Sequence, residues 1–317
     1  MNWQPAANVE VLRARAGLLA RIRAFFAARD VLEVETPLLC SSGVTDPAIE
    51  PLVVERGTSL GAARYLQSSP EYAMKRLLAA GSGPIYQVAR AFRDGEAGAR
   101  HNPEFSLLEW YRPGFDHHQL MDEVAELVIH CLGPKSVEQY AYRDLFRAEL
   151  GLDPLTASLE QLQTRARDSL DLGALSGDRD MWLDLLMSHL VEPSLADRGL
   201  CFVYEYPASQ AALARLEEKA GQLVGQRFEL YVDGVEVANG YCELTDAVEQ
   251  RQRFIADNER RREHGLAERR VDELLLAALD AGMPDCAGVA LGIDRLLMLA
   301  TGQADIRQVL AFDWARS

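Results

Sequence analysis

Two segments of this chain commit it to antiparallel sheet. GPIYQVARAFRDGEAGARHNPEFSLLEWY, ending at Tyr111, reads as two strands around a long polar loop, and RFELYVDGVEVANGY sets Asp233-Gly234 between two more alternating runs. Both are hairpins, with Arg93 at the end of the first arm of the earlier one. With period two, Phe105, Leu107, Glu109 and Tyr111 share one face of the second arm, and Ser106, Leu108 and Trp110 share the other. Glu109 then sits among aromatic groups, where a carboxylate is costly unless a cation meets it. A substrate cation and a core Arg or Lys are both open at this point.

Helical stripes flank these strands. Leu18, Leu19, Ile22, Phe25 and Phe26 recur at helical spacing between Val11 and Ala28, and VLEVETPLL then alternates like a strand until Pro37. SSPEYAMKRLLAAG predicts a helix with Ser69 as N-cap, Pro70 in the first helical position, Glu71 in the first turn and Gly81 as the stop. From about Met121 to Leu200 the pattern is mainly helical, which reads as an insertion into one domain spanning residues 1–317. The absence of repeats or Gly/Ser linkers supports that reading.

Charge and cysteines narrow the function classes. Lys plus Arg number 33 against 48 Asp plus Glu, a formal net charge of -15, which argues against a broad nucleic-acid surface. Cys40, Cys131, Cys201, Cys242 and Cys286 are scattered without metal-ligand spacing, so reduced thiols are expected. Arg13, Arg15, Arg21 and Arg23 interrupt the apolar positions of the first thirty residues, leaving neither a signal peptide nor a membrane span. A cytoplasmic location with no membrane partner is expected.

Chemistry concentrates in two further places. In a two-residue hairpin at Asp233-Gly234, Val232 opposes Val235, Tyr231 opposes Glu236 and Glu229 opposes Ala238, so Glu229 and Glu236 share a face. Two such carboxylates, as diagonal neighbours, repel unless a divalent cation or a cationic substrate lies between them, and Mg2+ takes one or two carboxylates plus phosphate oxygens. A solvated outer face is the plainer alternative. Strict alternation turns Asn239 the other way, and placing it beside Glu236 needs a bulge or the strand end near Gly240. In AGVALGIDRLLMLATG, Arg295 falls in the first turn of a helix, where the dipole disfavours a cation. A bound phosphate would resolve that conflict, as would a pair with Asp294 or another acid.

Together these segments resemble the class II aminoacyl-tRNA synthetases. FRDGEAGARHNPEFSLLEWY resembles their motif 2, GVALGIDRLLML their motif 3, and the N-terminal helix, strand and Pro37 their motif 1. SSPEYAMKRLL, HNPEF, ELYVDGVEVANGYCELTDA and GIDRLLML with IRQVLAF are similar to the lysyl branch, and the similarity runs essentially end to end. The resemblance implies an α+β class II catalytic core, a mostly antiparallel sheet flanked by helices with a helical insertion, dimerised through motif 1. It implies that Arg93 holds the amino acid carboxylate and the α-phosphate, Phe105 stacks on adenine, Arg295 clamps the far phosphates, and Glu229 and Glu236 hold Mg2+-ATP. Glu96 and His101 join the nucleotide site, and Ser69 and Ala290 the substrate site. Glu71 would meet the backbone-type amine, Asn239 the substrate, and Glu109, Tyr111 and Glu243 the terminal ammonium of lysine. Gly95 stands where motif 2 usually has Glu, so either Glu96 slides into that role or the contact is lost or made by backbone.

Within the family, motif 1 begins near Arg13, which leaves no room for the anticodon-reading barrel of the tRNA-charging lysyl enzymes. The expectation is therefore the truncated lysyl paralogue, which activates lysine or β-lysine and joins it to a lysine of elongation factor P. FVYEYPASQAAL looks like that paralogue, and Ala290 stands where the tRNA-charging enzymes have glycine. Its methyl group either narrows the pocket near the α-amine, suiting β-lysine, or is simply tolerated. The acidic balance disfavours tRNA as acceptor and suits a basic protein loop. A tRNA- or small-molecule-charging relative and a non-catalytic regulatory paralogue are the alternatives.

Overall fold

The computed structural model describes residues 3–54 and 63–317. In chain order the elements begin with α1 (Val9–Ala27), β1 (Leu32–Glu33), β2 (Leu39–Cys40), β3 (Val53–Val54), β4 (Arg64–Leu66), α2 (Glu71–Ala79), β5 (Ile85–Phe92) and β6 (Glu104–Pro113). There follow α3 (His117–Leu132), β7 (Val137–Ala141), α4 (Tyr142–Leu150), α5 (Leu159–Ser169), α6 (Arg179–Leu186), β8 (Leu200–Pro207), β9 (Leu216–Lys219), β10 (Gln222–Val232) and β11 (Val235–Cys242). The chain closes with α7 (Ala247–Glu263), α8 (Glu273–Asp280), β12 (Cys286–Gly292) and α9 (Ile293–Thr301). These fall into two compact units: one runs up to Gly114 and resumes from Leu244, with His130–Leu132, and the other takes Phe115–Ile129 and Gly133–Glu243.

In the first unit β5, β6 and β12 form an antiparallel ribbon, with β1 added in parallel to β5. The expected strand at VLEVETPLL shrinks to Leu32–Glu33 and Leu39–Cys40, because Pro37 withholds a ladder donor and β2 turns away to pair with β4 in a separate small sheet. On one face of the ribbon α1 buries Leu18, Ile22, Phe25 and Phe26, opened by Asn8, whose side chain accepts from the Val11 N–H at 2.9 Å. Phe26 stacks on Tyr86 at 4.4 Å and meets Trp110 edge-on at 5.3 Å. Contacts of that kind add roughly 0.5–1.5 kcal/mol each to the area they bury. The ribbon's opposite face is therefore the one that carries Glu109.

The second unit has β11, β10, β8 and β7 in that order, with β9 pairing the early part of β10. Only β7–β8 is parallel, so the mostly antiparallel α+β core is observed. Helices α4 to α6 supply Tyr142, Phe146, Leu162, Trp182, Leu183 and Leu186 to a core shared with Val203, Tyr206 and Tyr231 of the sheet. The helical stretch therefore covers the face of β10 that includes Tyr231, and it also contains β7, a strand its helical patterning did not predict.

No helix among the described residues is long and apolar enough to cross a membrane. The cysteines are free thiols, all but Cys40 of them buried.

Candidate active site

On β6, Glu109 lies opposite Gln87 of β5 and Ala290 of β12, so these three side chains share a face. Glu109 is 2% exposed. Its Oε2 accepts from the Ser69 hydroxyl and its Oε1 from the Tyr111 hydroxyl, both at 2.7 Å. These neutral donors fix the carboxylate's orientation without adding positive charge of their own. Pro70, not Ser69, holds the N-cap position of α2, one place later than the sequence predicts, yet the Ser69 Oγ still accepts the Glu71 N–H at 3.0 Å. One hydroxyl thus ties the start of α2 to the strand below it. Glu71 pairs with Lys75 one turn on, at 2.6 Å, and that lysine side chain is 1% exposed. The carboxylate expected to meet a substrate amine therefore has an ammonium partner from its own helix.

The β5–β6 loop arranges a second group. The Arg93 N–H donates to the Pro103 carbonyl at 2.9 Å, closing the hairpin. Its guanidinium lies 5.1 Å from the Phe105 ring centre, and its Nη1 is 3.7 Å from Glu96. Gly95 makes that approach possible: it sits at φ +76 with nothing within 4 Å of where a Cβ would be, so backbone conformation, not space, requires the glycine. Arg93 Nε is buried with no hydrogen-bond partner among the described residues, a donor an anionic ligand would satisfy.

In α9, Asp294 does not pair with Arg295. It takes Arg15 of α1 and the Ser106 N–H, the latter at 2.7 Å, and so holds α1, β6 and α9 together. Arg295 instead points to His101, Nη2 to Nε2 at 2.7 Å. The imidazole accepts there, which puts its own proton on Nδ1. Burial, then the Arg295 charge, lowers the His101 pKa.

The second unit carries the other acids. The register runs Val232↔Val235 and Tyr231↔Glu236 as expected, then shifts, so that Leu230 opposes Ala238 and Glu229 opposes Asn239. The expected Glu229–Ala238 pairing is thus corrected by a bulge at Val237, nearer the turn than the Gly240 end considered from sequence. The extra residue flips the phase of β11, and Glu229, Tyr231, Glu236 and Asn239 come to share one face. Glu229, 9% exposed, takes hydroxyl hydrogen bonds on Oε2 from Tyr206 and Tyr231, both 2.6 Å, and pairs on Oε1 with Arg227 at 2.5 Å. Arg227 gives Glu229 a cation of the chain's own, which the reading from sequence does not include although its spacing, two before Glu229, puts it on the same face. Burial disfavours the Arg227 charge, but Glu229, Tyr241 and Tyr206 together more than offset this and its pKa is raised. Burial and the Glu229 charge push Tyr206 and Tyr231 well above the usual phenol range. Glu243, also buried, follows β11 directly, its carbonyl accepting from Arg215 Nε at 3.1 Å.

Among the described residues no three His, Cys, Asp or Glu side chains converge as a metal cage. A Mg2+ carried on phosphates needs only one or two carboxylates, so the Glu229/Glu236 face fits that mode.

The family model for class II tRNA synthetases (D, K and N) matches residues 2–315. The chain belongs to the class II tRNA synthetase family. A protein of Pseudoalteromonas translucida named elongation factor P–(R)-β-lysine ligase is 51% identical over 99% of this chain and 98% of its own. Proteins of the same name from Pasteurella multocida (48%, over 98% and 97%) and Edwardsiella ictaluri (49%, over 100% and 98%) are similar throughout. For a class II synthetase, the antiparallel ribbon carrying Arg93, Phe105, Glu109 and Tyr111 and the strand–helix unit carrying Ala290 and Arg295 are the parts that the sequence motifs anticipated.

Proposed function

We propose that this chain uses ATP to activate (R)-β-lysine, or lysine, as an adenylate and transfers it to a lysine side chain of elongation factor P. The observation that carries the reading is similarity at 48–51% identity over 98–100% of the chain to ligases named for that reaction. The geometry supports it: Glu109, buried and oriented by two hydroxyls, suits a substrate ammonium, and Ala290 opposes it across the ribbon.

In the first step the amino acid carboxylate attacks the α-phosphorus of ATP in line and pyrophosphate leaves. Catalysis is mainly positioning and charge neutralisation. Arg93, whose Nε–H has no partner among the described residues, binds the anionic carboxylate and α-phosphate, and Arg295, held by His101, binds the far phosphates. Glu229, Glu236 and Asn239 present one polar face, and Mg2+ bound there would neutralise phosphate charge. In the second step the acceptor amine attacks the adenylate carbonyl, AMP leaves, and the amine loses a proton as the amide forms. The acceptor is a protein and the enzyme acts as a homodimer.

The test is ATP–pyrophosphate exchange with α-lysine and β-lysine, followed by mass spectrometry of elongation factor P and of bulk tRNA. Exchange with β-lysine and a lysyl mass on the factor are expected. No exchange with either amino acid would overturn the reading, and label on tRNA alone would move it to the tRNA-charging alternative.

A further inference from the structure

Arg227 does more than neutralise Glu229. Its Nη2 donates to Glu229 Oε1 at 2.5 Å, its Nε to Asn239 Oδ1 at 3.3 Å, and its Nη1 to the Gln210 carbonyl at 2.5 Å. Its guanidinium carbon lies 4.5 Å from the centre of the Tyr206 ring. Tyr206 in turn donates its hydroxyl to the other oxygen of Glu229. One side chain, 16% exposed, therefore holds a residue of each arm of the hairpin and the loop after β8.

Two backbone irregularities deliver it. On the β8 side the register shifts between Gly225 and Phe228, so that Gln226 and Arg227 together oppose Glu205. Glu205 answers with φ 60, a left-handed conformation that a non-glycine residue adopts only where its surroundings impose it. On the β11 side the bulge at Val237 brings Asn239 opposite Glu229. The first sets where Arg227 falls against β8; without the second, Asn239 would point away from both Arg227 and Glu229.

We propose that Arg227 is a positioning residue that sets the orientation of Asn239 and Glu229 together, coupling the amino acid and nucleotide sides of the site. Its Nε–H claims Asn239 Oδ1, which turns the amide nitrogen to the Tyr241 hydroxyl at 3.0 Å and leaves its remaining N–H for an acceptor oxygen of the substrate. The fork of a guanidinium serves three acceptors at fixed angles, which a lysine ammonium cannot do from a shorter reach.

The functional roles of Asn239 and Glu229 rest on the reading above, so the test has an arm that does not. In a crystal structure of Arg227→Met, the Asn239 amide and the Glu229 carboxylate are expected to rotate out of their present positions while β10 and β11 stay in register; unchanged side chains would overturn the proposal. In exchange kinetics, R227M should raise KM for β-lysine at least tenfold and also raise the Mg2+ needed for half-maximal rate. R227K should restore the Mg2+ requirement, since its charge still meets Glu229, but not the amino acid KM. Added to N239A, R227M should have less than a third of its own effect on that KM. Independent effects in the double variant, or a lower Tm with both parameters unchanged, would reduce Arg227 to a structural residue. Wild-type protein inactive with both amino acids would refute the proposed function instead, leaving the crystallographic arm to decide this one.

Discussion

Glu109→Gln keeps the shape of the side chain and removes its charge, which makes it the sharpest probe of the substrate cation. Both carboxylate oxygens now accept hydroxyl hydrogen bonds, from Ser69 and from Tyr111. In the glutamine one of those oxygens becomes an NH2 group, so one hydroxyl must reverse from donor to acceptor, a rotation that Ser and Tyr can make. The larger loss is Coulombic: a carboxylate and an ammonium about 4 Å apart attract by about 4 kcal/mol at an effective dielectric near 20. Desolvation of the ammonium takes back part of that, so about 2–4 kcal/mol should be lost from transition-state binding, a factor of roughly 30 to 1000 in kcat/KM. Pyrophosphate exchange should show this as a raised KM for β-lysine with KM for ATP within about threefold of wild type. A change in kcat/KM below about fivefold in folded protein would refute the argument that Glu109 meets the substrate's ammonium.

Ala290→Gly removes a methyl group beside Glu109, and one such group in a pocket is worth about 1–3 kcal/mol, so preference should shift toward α-lysine by roughly 10- to 100-fold; an unchanged ratio of the two kcat/KM values would make Ala290 merely tolerated. His117 is buried, neither ring nitrogen has a partner among the described residues, and burial, then His118, lowers its pKa to about 4. The fold thus favours the neutral ring: above about pH 6.5 both states are neutral, and as pH falls from there toward 4 the unfolded chain takes up a proton that the folded one refuses, costing on the order of 3 kcal/mol. Urea titrations of wild type and His117→Phe at several pH values should diverge only in that window, and parallel curves would exclude the linkage. Asp294→Asn leaves Arg15 without its carboxylate at a nearly buried site and should cost about 3–5 kcal/mol; a loss under about 1 kcal/mol by denaturant titration would mean that the pair does not organise α9.

What the sequence disclosed and what it concealed divide by range of interaction. The β5–β6 and β10–β11 hairpins were legible because alternation and an Asp-Gly turn are local signals, and α2 because its cap and stop lie within a few residues of it. The Val237 bulge was not, since a turn pins register only beside itself and a period-two reading then carries that register onward unaltered. That one residue reversed the side of Asn239. The fate of Asp294 was equally hidden, because its partners lie on α1 and β6, and no spacing within GIDRLLML points to Arg15. Arg227 was visible two places before Glu229, but a charged pair on an alternating strand reads as a solvated face until burial is known. The two-residue strands β1, β2 and β3 are too short to carry any period.

The arrangement around Glu229 bears on which acid serves the metal. A carboxylate offers about four lone-pair directions, and here two hydroxyls occupy Oε2 and a guanidinium occupies one direction on Oε1. Glu229 can therefore offer a metal a single oxygen, the one whose orientation Arg227 fixes. Bidentate binding would require both tyrosine hydroxyls to turn away. Glu236, across from Tyr231 on the same face, should then carry more of the Mg2+ interaction. Glu236→Gln should raise the Mg2+ concentration for half-maximal pyrophosphate exchange well beyond the effect of Glu229→Gln. The latter should act first on stability, by about 3–5 kcal/mol, because it leaves a buried guanidinium without its counter-charge. If E229Q instead kept its stability and shifted the Mg2+ requirement further than E236Q, the hydroxyl and guanidinium contacts would be displaced when metal binds, and Glu229 would be its principal ligand.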